Sequence, residues 1–171
     1  MNNVKIVSKI LFYITRILAF IYFAMVAQSI IALVTGWSLR FKDNGKYFQV
    51  CFPFTQTPFL NGNYNLPYIL LEFLIPLSLY GLFFLWLSNV FKVFFQPKLF
   101  TENGVKHLKR FYLSNLIVPG IMVLLVSTID DPENDAVVLI VLHAIIGIFA
   151  YFLAAIFTKG LNLQNEQDLI I

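Results

Sequence analysis

The sequence predicts an all-α integral membrane protein: a bundle of four transmembrane helices with a small extracytoplasmic cap. Of the 171 residues, 59% are hydrophobic and 12% are charged, whereas an average soluble domain has about 25% charged residues. Four apolar runs are long enough to be transmembrane helices, which need about 20 predominantly apolar residues. No soluble domain fits between these runs.

The four predicted spans divide the chain into one membrane domain. We place the spans at residues 11–35, 67–91, 111–128 and 136–158. They leave an outer loop at residues 36–66, an inner loop at 92–110 and a tail at 159–171. Lys5 and Lys9 precede the first run, as in a signal peptide. Because the run continues to Val34 without a small-residue cleavage site, we interpret it as a retained span.

The basic residues predict that both termini lie in the cytoplasm, because cytoplasmic loops carry an excess of Lys and Arg. The inner loop contains Lys92, Lys98, Lys106, Lys109 and Arg110. The turn between the last two spans contains acids only, at Asp130, Asp131, Glu133 and Asp135. Arg40, Lys42 and Lys46 in the outer loop oppose this orientation but are outnumbered.

The outer loop is long and aromatic. Its aromatic and β-branched content predicts a strand at residues 46–52, which Pro53 ends. Asn61-Gly62-Asn63 is typical of a turn. We therefore expect a β-hairpin or another small folded cap. Its aromatic residues could rest in lipid headgroups, pack on the helices or form a ligand site.

Three polar residues inside the spans form a candidate intramembrane site, since such residues are costly in lipid and often functional. Glu72 lies only about 8 Å from the outer end of its helix. It could be a capped or snorkelling carboxylate, or it could handle protons or cations. His143 could form an interhelical hydrogen bond or pair with Glu72. Asn115 precedes Pro119 and Gly120, which predict a kink.

A second candidate site lies on the predicted cytoplasmic side. Thr101 is a suitable N-cap for a helix whose first turns are basic. These turns could lie at anionic headgroups or dock an acidic partner, and acids of the tail could meet them. The predicted partner surface comprises Lys98, Lys106, Lys109, Arg110, Leu163, Glu166 and Asp168.

The motifs of common enzyme and cofactor sites are not found in the sequence. It has no phosphate-binding glycine loop, no His-Glu-x-x-His motif and a single cysteine, Cys51. The small net charge of +3 does not indicate nucleic-acid binding. We therefore expect a protein that is not an enzyme, has no cofactor and does not bind nucleic acid directly.

Two stretches resemble a known family. Residues 97–109 (Pro-Lys-Leu-Phe-Thr-Glu-Asn-Gly-Val-Lys-His-Leu-Lys) and the end, Ile156-Phe157-x-x-Gly160-x-x-Leu163-Gln164-x-Glu166-x-Asp168-Leu169, resemble a bacterial four-span family known as domain-of-unknown-function family 2975. Gly104 stands where that family usually has a better helix former. The resemblance implies a multi-pass protein of the bacterial inner membrane. It also implies a cytoplasmic partner, since such proteins are often encoded beside a small helix-turn-helix regulator.

Three functional hypotheses follow. The first is a non-enzymatic binding or sensing scaffold that engages a cytoplasmic partner such as that regulator. The second is an accessory subunit of a larger membrane complex. The third is a small transporter or ligand sensor that uses Glu72 and His143.

Overall fold

Four long helices and a small sheet make up the protein. The computed structural model describes residues 2–128 and 134–168. The helices are α1 (Asn2–Thr35), α2 (Leu66–Val93), α3 (Glu102–Val126) and α4 (Asn134–Asp168). All four are long and apolar enough to cross a membrane, which confirms the prediction of four such helices. The side chains of the acidic turn from Asp130 to Asp135 lie outside the described residues.

Successive helices pack on each other in chain order: α1 on α2, α2 on α3, and α3 on α4. Neighbouring helices run antiparallel. Phe12 of α1, for example, lies against Phe95 just after α2, and Ala32 shares a core with Ile69 at the other end of the same pair. We call the end with the start of α1 and the end of α4 the terminal end. The opposite end, which carries the sheet, is the sheet end.

The small folded cap that the sequence predicted is a three-stranded antiparallel sheet rather than a single hairpin, and because of this sheet the protein is mostly helical rather than all-α. The strands are β1 (Leu39–Lys42), β2 (Tyr47–Cys51) and β3 (Pro58–Asn63), in the order β1-β2-β3. The predicted strand is β2. The turn before it, Asp43-Asn44-Gly45, has positive φ at all three residues. Asn and Gly tolerate this backbone best, so the turn suits its sequence.

The predicted turn at Asn61-Gly62-Asn63 is wrong, because these residues form the end of β3 and pair with β2. Gly62 serves a different purpose. A Cβ at this position would lie 2.6 Å from the ring of Tyr68 and 2.5 Å from the ring of Phe73. Glycine therefore lets the strand approach the aromatic side chains of α2, which is a known use of glycine inside strands.

The sheet is held on α1 and α2 by an apolar cluster. Its buried members are Ala32, Phe48, Val50 and Ile69, and Phe48 is fully buried. Phe48 therefore packs on the helices, which is one of the three roles that we predicted for the aromatic residues of the outer loop. Phe54 differs, since 93% of its surface is exposed.

A second apolar cluster joins α2, α3 and α4 at the terminal end. Its buried members are Val90, Val93, Val105, Leu108, Phe111, Ala150, Ala154 and Phe157. As predicted, Thr101 caps α3: its Oγ1 accepts a hydrogen bond from the Gly104 amide at 3.1 Å. A Cβ at Gly104 would lie 2.9 Å from Cγ1 of Val93. The glycine thus permits close packing of α3 on α2, although it is a poor helix former.

Helix α4 continues past the predicted end of its span, so residues 159–168 of the predicted tail are helical. The first turn of this extension packs on the inner loop. A Cβ at Gly160 would lie 2.7 Å from the ring of Phe100. The contact between tail and inner loop is therefore apolar at this point.

A candidate ligand site between three helices

Helices α2, α3 and α4 line a cavity, partly open at the surface, in the half of the bundle nearer the sheet end. Its volume is about 440 Å³, within the ~300–1,000 Å³ that is typical of small-molecule sites. Most of the lining is aliphatic or aromatic. The polar exceptions include Glu72, Ser114, Asn115 and His143. An apolar cavity with a few polar groups is the usual character of a ligand site.

The cavity brings together the three polar residues that the sequence singled out. Glu72 lines it from α2, Asn115 from α3 and His143 from α4. The sequence predicted that each lies within a span, but not that they share one cavity. A direct contact between Glu72 and His143 stays a prediction.

The Asn115 side chain has one satisfied group and one unsatisfied group. Only 3% of the residue is exposed. Its Nδ2 donates to the carbonyl oxygen of Phe111 at 2.8 Å. Its Oδ1 is buried and accepts no hydrogen bond within the described part of the chain. Because a buried unsatisfied polar atom costs about 1–3 kcal/mol, a ligand that donates to this oxygen would gain that energy.

Two further polar side chains of the lining also donate hydrogen bonds to helix carbonyls. The Ser114 hydroxyl donates to the carbonyl oxygen of Phe111 at 2.8 Å. Nδ1 of His143 lies 3.0 Å from the carbonyl oxygen of Leu139. A carbonyl can only accept, so Nδ1 carries the hydrogen. In the neutral ring, Nε2 then has a lone pair and acts as an acceptor.

Two prolines of the lining interrupt the helical hydrogen-bond pattern. Pro76 lines the cavity from α2 and Pro119 from α3. Proline has no N–H, so the carbonyl four residues earlier loses its helical donor; for Pro119 this is the carbonyl of Asn115. The turn before Pro76 is a π-helical segment, Ile69–Leu74, which contains Glu72. Such segments inside helices frequently occur at functional sites.

Between the cavity and the terminal end, the three helices are in direct contact with each other. A Cβ at Gly147 of α4 would lie 2.8 Å from the side chain of Leu116 on α3. The rings of Phe83 and Phe111 join α2 to α3, with centroids 5.5 Å apart. These contacts separate the cavity from the terminal end. Among the described residues, no group of three His, Cys, Asp or Glu side chains could hold a metal ion.

The second predicted site lies at the terminal end, well away from the cavity. Its described members are exposed: Lys98, Lys106, Lys109, Arg110, Leu163 and Glu166. The side chain of Asp168 lies outside the described residues. Glu166 forms no ion pair with the inner-loop bases within the described ranges. The tail and inner loop share one end of the molecule, and the predicted meeting of their charges through Asp168 stays a prediction.

Four apolar helices of this length are what a multi-pass membrane protein has, and the cavity makes it a candidate ligand-binding one. No protein-family model, curated protein or solved structure matches the chain. The resemblance of its inner loop and C-terminal residues to domain-of-unknown-function family 2975 stays a prediction.

Proposed function

We propose that this protein is a non-enzymatic membrane sensor that binds a small lipophilic ligand in the cavity between α2, α3 and α4. One observation carries the proposal. Three helices each place a polar residue (Glu72, Asn115 or His143) at the same, mostly apolar cavity. Polar residues inside membrane spans are expensive, and those that face a cavity usually mark a ligand or ion pathway.

The packing supports a route from the ligand to the terminal end. Phe83 and Trp86 line the cavity and also pack against the buried cluster at the terminal end. Phe157 of that cluster contacts the inner loop through Phe100, with ring centroids 5.3 Å apart. A ligand that fixes the separation of the three helices would therefore bias the position of the inner loop. In the orientation that the basic residues favour, a cytoplasmic partner could bind this loop.

A scaffold that holds a cytoplasmic partner, or an accessory subunit of a larger complex, is the second candidate function. It is favoured by the exposed bases of the inner loop and by Leu163 on the last turns of α4, which is 53% exposed. Leu161 packs on the terminal-end cluster. The chain should therefore be truncated after Asn162, so that the cluster stays intact. The truncated protein should insert normally but lose its partner in a pull-down. If every partner is retained, the residues after Asn162 do not form the partner-binding surface.

Ligand entry into the cavity can be measured with a tryptophan of the lining. The chain has two tryptophans, Trp37 and Trp86, and only Trp86 lines the cavity. A Trp37→Phe background leaves Trp86 as the single reporter. The protein is placed in phosphatidylcholine nanodiscs and titrated with the nitroxide TEMPO, a small lipophilic quencher of tryptophan fluorescence. We expect a saturable component of quenching above the linear component from lipid-dissolved probe.

A matched pair of variants locates the binding. Val123 lines the cavity, whereas the adjacent Leu124 is exposed on the helix surface. Val123→Phe fills part of the cavity and should abolish the saturable component, and Leu124→Phe should leave it unchanged. The proposed function is wrong if quenching is only linear, or if both variants behave alike.

A further inference from the structure

We propose that a second pocket, at the terminal end of the bundle, binds the phosphate group of a phosphate monoester. This site goes beyond the proposed function, because it shares no lining residue with the cavity between α2, α3 and α4. The inference follows from the positive charges and hydrogen-bond donors that three neighbouring segments of the chain bring to one recess.

The pocket lies where α2 ends, the inner loop turns and α3 begins. Its volume is about 370 Å³, and it is partly open at the surface. Lys92 lines it from the last turn of α2, Lys98 from the inner loop and His107 from the second turn of α3. Val93, which is 3% exposed, also lines it, so the pocket reaches the buried terminal-end cluster. A recess of this volume is large enough for a small ligand.

The charged side chains of the lining are all basic. Neither Lys92 nor Lys98 forms an ion pair within the described residues. Glu102, the acid at the start of α3, is exposed and does not line the pocket. Two ammonium groups without a counter-charge therefore face a site that a phosphate monoester would balance, because a monoester carries about two negative charges near neutral pH.

Hydrogen-bond donors are available at the same pocket. His107 makes no hydrogen bond within the described part of the chain, so the N–H of its neutral ring can donate to a ligand. Asn103 lies one helical turn before His107 and lines the same pocket. The backbone N–H of Asn103 belongs to the first turn of α3, where N–H groups have no helical acceptor. Phosphate oxygens accept such hydrogen bonds, and the positive end of the helix dipole adds to the attraction.

Side chains from three segments thus define the site, and the start of α3 only adds to it. A neutral ligand would leave the two lysine charges unbalanced, and a cation would be repelled by them. A carboxylate would supply one negative charge and two acceptor atoms, whereas a phosphate monoester supplies about two charges and three terminal oxygens. The lining therefore matches the monoester best in charge and in number of acceptors.

The two histidines of the chain allow a test with an internal control. His107 lines this pocket, and His143 lines the cavity between α2, α3 and α4. The protein is labelled with isotopes at histidine and placed in phosphatidylcholine nanodiscs, and NMR follows the two imidazole signals. Glycerol phosphate is the free monoester, and phosphatidic acid is the lipid that carries the same group. We expect a saturable shift of the His107 signal with at least one of them, and no shift of the His143 signal.

A matched pair of lysines assigns the binding to the pocket. Lys98 lines the pocket, whereas Lys109 is exposed on α3 and does not line it. Lys98→Gln should weaken binding about tenfold, the scale of one charge-assisted hydrogen bond. Lys109→Gln removes the same charge and should weaken binding less than about twofold, because salt screens exposed charges at a distance. Lys92→Gln should act like Lys98→Gln, and an unchanged His143 signal shows that each variant is folded.

Three results would overturn the inference. Equal weakening by Lys98→Gln and Lys109→Gln would mean that binding depends on the general charge of the terminal end. A His107 shift with sodium chloride at equal ionic strength, or no saturable shift with either monoester, would exclude a phosphate site. Equal binding of the corresponding diester with a second glycerol, which is phosphatidylglycerol in the lipid case, would contradict the monoester assignment. Quenching of Trp86 by TEMPO tests the other cavity separately, so failure of one proposal is distinguishable from failure of the other.

The two monoesters also distinguish the source of the phosphate group. A His107 shift with phosphatidic acid but not with glycerol phosphate would identify a lipid headgroup as the ligand. A shift with glycerol phosphate in pure phosphatidylcholine nanodiscs would identify a soluble phosphorylated molecule. Either result supports the phosphate-monoester class.

Discussion

The terminal end and the sheet-end half of the bundle contain the same three helices in opposite states of packing. At the terminal end, α2, α3 and α4 interlock around buried side chains such as Leu108, which has no exposed surface. Nearer the sheet end they stand apart around a cavity of about 440 Å³. The helices are continuous through both regions, so the difference arises from the residues that face each other.

Small residues account for the packed region. Gly104 lies against Val93, Gly160 lies against Phe100, and Ala150 and Ala154 are buried. Small residues let helices approach closely and gain van der Waals contacts that lipid does not replace. Around the cavity, the helices instead carry Pro76, Pro119 and polar side chains in the lining. One part of each helix thus stabilises the bundle, and another part lines the cavity. A small membrane protein can in this way combine a stable core with a candidate ligand site.

The largest expected effect is the loss of a side chain from the packed region. Leu108→Ala should lower the free energy of unfolding by about 2–5 kcal/mol, because it leaves a cavity among side chains that cannot easily collapse. Leu139 is the matched leucine that lines the existing cavity. Leu139→Ala should cost about 1 kcal/mol or less, because this side chain already lacks neighbours on one side. Unfolding in detergent micelles measures both values, and equal losses would contradict the packing difference.

A smaller effect, of opposite sign at the two sites, is expected for two helical glycines. Gly160→Ala would push a methyl group against Phe100 and should lower the free energy of unfolding by about 1–3 kcal/mol. Gly120 follows Pro119 in α3, and a Cβ there would meet nothing within 4 Å. Gly120→Ala should raise the stability by up to about 1 kcal/mol, because alanine is the better helix former. The same unfolding assay decides the signs, and stabilisation by both substitutions would show that α4 does not press on the inner loop.

The helices were predictable from the sequence because lipid imposes a simple requirement, an apolar run of sufficient length. The cap of α3 at Thr101 was predictable for the same kind of reason, since it depends on local chemistry alone. The extension of α4 to Asp168 was not predicted. Its first turn packs at Gly160 on Phe100, a contact between residues far apart in the chain that local patterns do not indicate.

The sheet was predicted only in part. Asp43-Asn44-Gly45 between two stretches of extended residues is a hairpin signal that would have predicted β1. Asn61-Gly62-Asn63 has similar composition and misled the prediction, because Gly62 is there for contact with Phe73 rather than for a turn. Composition alone does not distinguish these two uses of glycine.

The site residues were predictable one at a time but not as a set. Glu72, Asn115 and His143 stand out as polar residues in apolar runs, while their meeting at one cavity depends on the rotation of three helices. One signal was present in the sequence. Glu72 precedes Pro76 by four residues, and Asn115 precedes Pro119 by four. This spacing places a polar side chain and a proline on the same face of each helix.

The contrast between the two regions is tested most directly by the same substitution at two valines of α3. Val118 lines the cavity, and Val105 is 8% exposed in the terminal-end cluster. The measurement is the difference in free energy of unfolding between Val118→Phe and Val105→Phe. Val105→Phe should lower the stability by about 1–3 kcal/mol through overpacking, and Val118→Phe should leave it unchanged or raise it, because the larger ring enters empty space. Equal losses at the two positions would mean that the helices are packed alike along their length and that the cavity does not exist.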